Sequence, residues 1–231
     1  MKRIIGVTGG VGSGKSTVLK ILEDEYEAQI LSTDQIAKDL MKPGAICYQP
    51  IIDTFGQDIV GKNGHFDTKK LGQIAFNDKD AISRLNAIVH PEVVNEVKRL
   101  AEESPANLVV VESALLIESG INKVCDEVWY VYVSTQERAK RLYEQRGYSE
   151  VKSYSIFQNQ LSHEAFSRGS DRLIDNESSR EYTRRQIREI MSEIYSRGKH
   201  SPLEDEAKTE AEKAADGAEE TEAAAGDAGE T

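Results

Sequence analysis

Short apolar runs rich in β-branched residues alternate along this chain with longer stretches whose apolar positions recur every three or four residues. Residues 4–8, Ile-Ile-Gly-Val-Thr, read as a buried strand, and residues 16–25 follow with Val18, Leu19 and Leu22 at helical spacing. Residues 28–31 predict a second short strand and residues 34–41 a helix. The run at 108–112, Leu-Val-Val-Val-Glu, is the clearest buried strand, being short, continuous and β-branched. Residues 128–133 (VWYVYV) predict another strand and residues 172–175 a short last one. Helical patterns lie at about 81–103, 135–146, 149–167 and 178–197. Strands alternating with helices predict a parallel sheet covered on both faces.

Residues 43–105 interrupt that alternation. They carry turn signals at Pro43-Gly44, Phe55-Gly56 and Lys62-Asn63-Gly64 but no strong strand, which predicts a mainly helical insertion between the second and third strands.

The formal charge of −11 changes meaning once it is divided along the chain. Residues 201–231 hold eleven acids against Lys208 and Lys213, a balance of −9, and leave only −2 on residues 1–200. The body therefore has no general basic surface, and no nucleic-acid partner is expected. The tail, built from Ala, Glu, Gly, Thr and Asp, has too little apolar surface to offset its chain entropy, so residues 201–231 are expected to be a disordered, solubilising acidic tail. No apolar run approaches the roughly 20 residues that span a bilayer, so no membrane association is expected. The basic Lys2-Arg3 pair precedes an apolar run that Gly9-Gly10 cuts short, unlike a secretory leader. Cys47 and Cys125 form neither a CxxC pair nor a metal-ligand spacing, as expected of reduced thiols in a cytoplasmic protein.

The most specific chemistry lies between the first strand and the first helix. Residues 9–16, Gly-Gly-Val-Gly-Ser-Gly-Lys-Ser, fit the phosphate-loop pattern G-x-x-x-x-G-K-[ST] completely. Its glycines let successive N–H groups turn inward around a phosphate, at the positive end of a helix. Gly10, Val11, Gly12, Ser13, Gly14, Lys15, Ser16 and Thr17 are the expected ATP-binding residues, with Lys15 reaching the β/γ-phosphates and the Ser16 hydroxyl reaching Mg²⁺. The loop alone does not separate a kinase from a GTPase switch or a motor-type ATPase. A guanine-specific Asn-Lys-x-Asp segment is missing: Asn122-Lys123-Val124-Cys125-Asp126 is one residue too long and precedes its strand. Asp58-Ile59-Val60-Gly61 matches D-x-x-G but has no strong strand before it, so a GTPase is disfavoured.

Other residues are candidates by position. Asp34 follows the second strand, where a carboxylate can accept the proton of an attacking hydroxyl or hold a metal-bound water. It can equally be the N-cap of the helix that follows. Glu112 ends the third strand, where an Mg²⁺-organising acid sits in many phosphate-loop proteins, or it is an ordinary acidic strand end. Arg138, Arg141 and Arg146 lie on the helix after VWYVYV, and the first two share a face. They form either a solvated basic face or a planar donor set for a migrating phosphoryl group. His90, before Pro91, reads as the end of a helical pattern and as a structural histidine or a ligand.

Taken together, these residues resemble a known family. The run Thr8 to Thr17 with Ser32-Thr33-Asp34-Gln35-Ile36-Ala37 is similar to dephospho-CoA kinases. So are Phe55-Gly56, Asn63-Gly64-His65-Phe66-Asp67, His90-Pro91, Ala114-Leu115-Leu116-Ile117-Glu118, Gln160 and Ile174-Asp175-Asn176, in the family's order from about residue 4 to 195. The resemblance implies an α/β fold, a P-loop kinase of the nucleoside-monophosphate-kinase type, with a five-stranded parallel sheet core, a helical substrate domain and a mobile lid. It implies a kinase domain over residues 1–200, with its core at 1–42 and 106–200, a substrate-binding insertion at about 43–105 and lid helices at about 135–170. It implies ATP- and Mg²⁺-dependent phosphorylation of the ribose 3′-hydroxyl of dephospho-CoA, the last step of coenzyme A synthesis. Another small-metabolite or nucleoside monophosphate kinase is the alternative. Asp34 matches the proposed base, Lys15 and Arg141 the catalytic cations, and His90, Leu116 and Glu118 the substrate contacts. A monomer or small homo-oligomer is expected. The chain departs from the commonest pattern at Ser32 and Thr68, where an Asp and an Arg are frequent, and at Glu112-Ser113-Ala114, in place of Asp-x-Pro. Gln145-Arg146 also shifts an arginine by one residue.

Overall fold

All five apolar runs become strands, and every pairing between them is parallel. In the computed structural model, which describes residues 2–78 and 80–197, the strands are β1 (Arg3–Thr8), β2 (Gln29–Ser32), β3 (Leu108–Glu112), β4 (Glu127–Tyr132) and β5 (Arg172–Asp175). Their order across the sheet is β2-β3-β1-β4-β5. β1 is thus central, flanked by β3 in the register Val7 to Glu112 and by β4 in the register Thr8 to Tyr130. The continuous β-branched runs make sense in that frame, because a strand of a parallel sheet is buried on both faces. Val109, Val110 and Val111 are all fully buried.

The helices are α1 (Lys15–Tyr26), α2 (Thr33–Leu40), α3 (Tyr48–Phe55), α4 (Thr68–Asn77), α5 (Ala81–Glu103), α6 (Thr135–Arg146), α7 (Glu150–Gln158), α8 (His163–Arg168) and α9 (Arg180–Arg197). The pattern at 149–167 splits into two helices. Ser162 accepts a hydrogen bond from the Ala165 N–H and so caps a new start, while Asn159 ends the preceding turn. By contrast, α5 runs through the His90-Pro91 step that had read as a helix end. Pro91 withholds one N–H from the helix ladder, yet Val89, Val93, Val97 and Ala101 remain buried along one face. Packing of that face outweighs the missing bond.

The insertion between β2 and β3 contains α3, a short 3₁₀ turn, α4 and all of α5, with an antiparallel bridge from Val60 to Phe66. It does not build a core of its own. Ile51 and Ile59 join Val89, Val93 and Val97 in one cluster with Leu31 of β2 and Val109 and Val111 of β3. On the same face of the sheet, two residues beyond Val128 of that cluster, Tyr130 of β4 stacks on Phe166 of α8 with ring centroids 4.8 Å apart.

Backbone contacts divide the chain into two units, Met1–Arg184 and Arg185–Thr231, and of the second the structure describes only the later turns of α9. The acidic tail expected at 201–231 lies outside the described residues. No helix among the described residues is long and apolar enough to cross a membrane. Cys47 is a buried free thiol and Cys125 a partly buried one.

Candidate active site

In a parallel sheet the carboxyl ends of all strands lie on one edge, and the central strand delivers its loop to the middle of that edge. β1 ends at Thr8 and α1 begins at Lys15, so the intervening residues must reverse the chain in one tight turn. Gly14 makes this possible: it caps α1 in the left-handed conformation, with φ of 79°. A Cβ there would also lie 2.3 Å from the Asn176 side-chain nitrogen. Gly10 is required for a different reason, since a Cβ would fall 2.3 Å from the Arg138 guanidinium.

A cleft of about 610 Å³ opens over this loop. Gly10, Val11, Gly12, Gly14, Lys15, Ser16 and Thr17 form its floor, Asp34 and Glu112 one side, and Arg141, Gln145, Arg146, Asn176, Ser178 and Arg180 the other. Of the loop residues expected to bind ATP, Ser13 alone turns its side chain away from the cleft. Its buried hydroxyl finds no partner among the described residues.

Lys15 donates to the Gly9 carbonyl at 2.9 Å and lies 3.7 Å from Glu112 Oε1. Burial pushes its pKa below the ordinary lysine value, against the opposing pull of Glu112 and Asp34. Glu112 also accepts a hydrogen bond from the Ser32 hydroxyl at 3.3 Å, across the paired ends of β2 and β3. The two departures in this region, Ser32 and Glu112, therefore touch. The longer glutamate reaches a hydroxyl where a second carboxylate would have repelled it.

Asp34 is not the cap of its helix. Ser32 occupies the cap position, its side chain making no capping bond, and Asp34 sits within the first turn of α2. It lines the phosphate cleft and also a second cavity of about 190 Å³. α2, α5 and the segment after β3 enclose that second cavity, which His90, Asn86, Val93, Ser113, Leu115 and Ser119 help to line. No other residue is shared by the two. His90 thus faces the second cavity from the middle of α5, and its partial burial lowers its pKa. Of the other substrate contacts implied by the resemblance, Leu116 goes elsewhere. It is fully buried, with its methyl groups against Gly6 of β1, and its neighbour Leu115 lines the cavity instead. Glu118 is exposed and lines neither cavity.

The basic face of α6 divides its labour. Arg141 lines the cleft, paired with Glu137 at 3.0 Å and donating to the main-chain carbonyls of Asn176 and Glu177. Arg146 reaches the cleft as well, despite its shifted position. Arg138 points instead at the back of the loop: its Nε donates to the Val11 carbonyl at 2.9 Å, and its guanidinium lies 4.0 Å from the Phe157 ring centre. Gln160 Oε1 accepts from both Arg138 and the Val11 N–H. Both main-chain groups of Val11 are thereby held by the segment 138–160. Sequence reasoning assigned no job to Arg138, Gln160 or Asn176 in holding the loop. The only signal was that Gln160 and Asn176 fell among the family landmarks.

Comparison with known proteins points to one family. The family model described as "Dephospho-CoA kinase" matches residues 3–181. A dephospho-CoA kinase of Carboxydothermus hydrogenoformans is 40% identical over 191 residues, covering 81% of this chain and 92% of the relative. That of Fusobacterium nucleatum is 38% identical, covering 77% and 91%. Among solved structures, a Thermus thermophilus protein superposes with a TM-score of 0.71 at 27% identity, over 84% of this chain and 98% of its own. A shikimate kinase from Acinetobacter baumannii, at 0.50 and 16% identity over 85% and 95%, shares the fold. The five-stranded parallel sheet, the phosphate loop at its centre and these matches together make the chain a member of the dephospho-CoA kinase family.

Proposed function

We propose that the two cavities meeting at Asp34 hold the two substrates of one phosphoryl transfer, with ATP over the phosphate loop and the acceptor hydroxyl on the α2–α5 side. The chain is a kinase that phosphorylates dephospho-CoA with ATP, the activity of its family in coenzyme A synthesis. The observation carrying the mechanistic reading is that Asp34 alone borders both cavities.

In this reading the ribose 3′-hydroxyl attacks the γ-phosphorus in line, its proton passes to the Asp34 carboxylate, and the bond to the β-phosphate oxygen breaks to release ADP. Lys15 and Arg141 offset the charge that spreads over the transferred group, and the N–H groups around Gly12 to Ser16 hold the phosphates. When bound, Mg²⁺ would supply positive charge to offset that of the phosphates. Ser16, Asp34 and Glu112 provide the hard oxygen donors that suit it. No group of three or more acidic, His or Cys side chains able to hold a metal occurs among the described residues.

The insertion at 43–105 is the substrate-binding region in this reading, and residues 135–170 are the lid, whose closure would exclude water as a competing acceptor. The cytoplasmic setting belongs to the same proposal. A coupled ADP-release assay across dephospho-CoA, AMP, CMP and dTMP tests the acceptor. Stimulation by dephospho-CoA alone supports the reading, and preference for a nucleoside monophosphate would replace it.

A further inference from the structure

We infer that Asn176, locked by Thr183, is a positioning residue that sets the phosphate-binding peptides of the loop, an inference that rests on ATP occupying the cleft above. Asn176 follows the last residue of β5, and its main-chain N–H donates to the Tyr132 carbonyl at 2.9 Å, which extends the β4–β5 ladder by one rung. The sheet thereby fixes where its side chain starts. The side chain is buried, and both ends of its amide are used. Nδ2 donates to the carbonyls of Ser13 at 2.8 Å and Gly14 at 3.4 Å, while Oδ1 accepts from the fully buried Thr183 hydroxyl at 2.8 Å.

The consequence follows from the planar trans peptide, in which a carbonyl and the next N–H point in opposite directions. Holding the Ser13 carbonyl toward Asn176 turns the Gly14 N–H away from it. Holding the Gly14 carbonyl does the same for the Lys15 N–H. Gly14 and Lys15 both border the cleft, so these donors are aimed where a phosphate oxygen would sit. The Ser13 and Gly14 carbonyls, which can only accept, decide which way round the amide lies, and Thr183 then holds the oxygen end. It offers a donor to Oδ1, whereas a flipped amide would set oxygen against the Ser13 carbonyl. The main-chain carbonyl of the same residue accepts from Arg141 at 2.9 Å. One residue thus places both the loop peptides and a cleft arginine, and only the first task depends on its side chain.

Steady-state kinetics of the full chain with Mg-ATP and dephospho-CoA test this. For Asn176→Ala we expect a rise of about tenfold or more in the KM for ATP, with the KM for dephospho-CoA within about twofold of wild type. Asn176→Asp should be at least as impaired, because it faces two carbonyl oxygens with a carboxylate. Thr183→Val should show a smaller shift of the same kind, and Thr183→Ser should retain wild-type values. A general loss of folding would instead lower the apparent kcat and the melting temperature while leaving both KM values in place. If Asn176→Ala does not fold, Thr183→Val decides. An ATP KM within about twofold of wild type in whichever variant folds, or equal rises for both substrates, overturns the inference. A wild-type chain inactive on dephospho-CoA would instead overturn the functional reading.

Discussion

The Ser32 hydroxyl donates to Glu112 Oε2 at 3.3 Å, joining the ends of β2 and β3 beside the phosphate loop. Glu112 gives its other oxygen to Lys15, 3.7 Å away. Its two oxygens therefore serve two different partners, and any change at residue 32 is felt at the loop lysine.

Ser32→Asp should put two carboxylates in contact across neighbouring strand ends, where like charges repel. The expected cost is about 1–2 kcal/mol, which lowers the melting temperature by roughly 3–6 °C for a domain of this size. Adding Glu112→Gln to Ser32→Asp should recover most of that loss. Thermal melts of the two singles and the double would show it, and purely additive effects would rule out the contact as the cause.

Lys15 carries its charge at a desolvation cost. Burial is the largest influence on its pKa and lowers it, although Glu112 and Asp34 pull the other way. The folded chain therefore holds this proton less tightly than the unfolded one. Its contribution to stability is unfavourable below the folded pKa and fades as pH rises toward the ordinary value of 10.5. Lys15→Met should melt at or above the wild-type temperature at neutral pH while losing roughly 100-fold or more in turnover. A melt several degrees lower would show that the pairing with Glu112 outweighs desolvation.

Asp34→Asn tests the base directly. Removing a positioned general base typically costs about 10²–10⁴ in rate. Turnover should fall by that order, with the ATP dissociation constant within a few-fold of wild type by equilibrium titration. Near-normal turnover would take the role away from Asp34.

Arg138 and Gly10 meet so closely that a methyl at position 10 must displace the guanidinium. Gly10→Ala should break the bonds from Arg138 to the Val11 carbonyl and to Gln160, and so mimic Arg138→Ala. Each single substitution is expected to weaken ATP binding several-fold. The double should be little worse than the more damaging single, because both remove the same contact. Independent, multiplying effects would mean that Gly10 acts on the nucleotide by another route.

His90 faces the smaller cavity, and partial burial lowers its pKa below the usual 6.5. As pH falls through that value, the unfolded chain takes up the proton before the folded one does, so the residue costs stability on acidification. His90→Gln should therefore shrink the drop in melting temperature between pH 7 and pH 5.5. The same variant should raise the KM for dephospho-CoA but not for ATP.

Much of the scaffold was legible locally. Short β-branched runs marked all five strands, and the glycine spacing of residues 9–14 marked the loop, because backbone conformation and burial act on neighbouring residues. The split at Ser162 was harder to read, whereas the pattern at 81–103 carried α5 through Pro91 against the helix-end signal of the His90-Pro91 step. In each case a side-chain cap or a buried face outweighed the simpler local signal. Leu116 shows the same limit at the scale of a single residue. It belongs to a family landmark, yet the turn after β3 sets it against Gly6 in the core and leaves Leu115 at the cavity.

By itself, then, the sequence determined the alternation of strand and helix, the phosphate loop with Lys15 at its end, and the family. All three depend on residues near one another in the chain or on their order. Only the tertiary structure decided that Asp34 would border two cavities rather than cap a helix. It alone brought Arg138 to Val11 and Asn176 to Ser13, pairs separated by more than a hundred residues. The reason is physical. The parallel sheet gathers distant strand ends on one edge, and which side chains meet there depends on a strand order that no local pattern encodes.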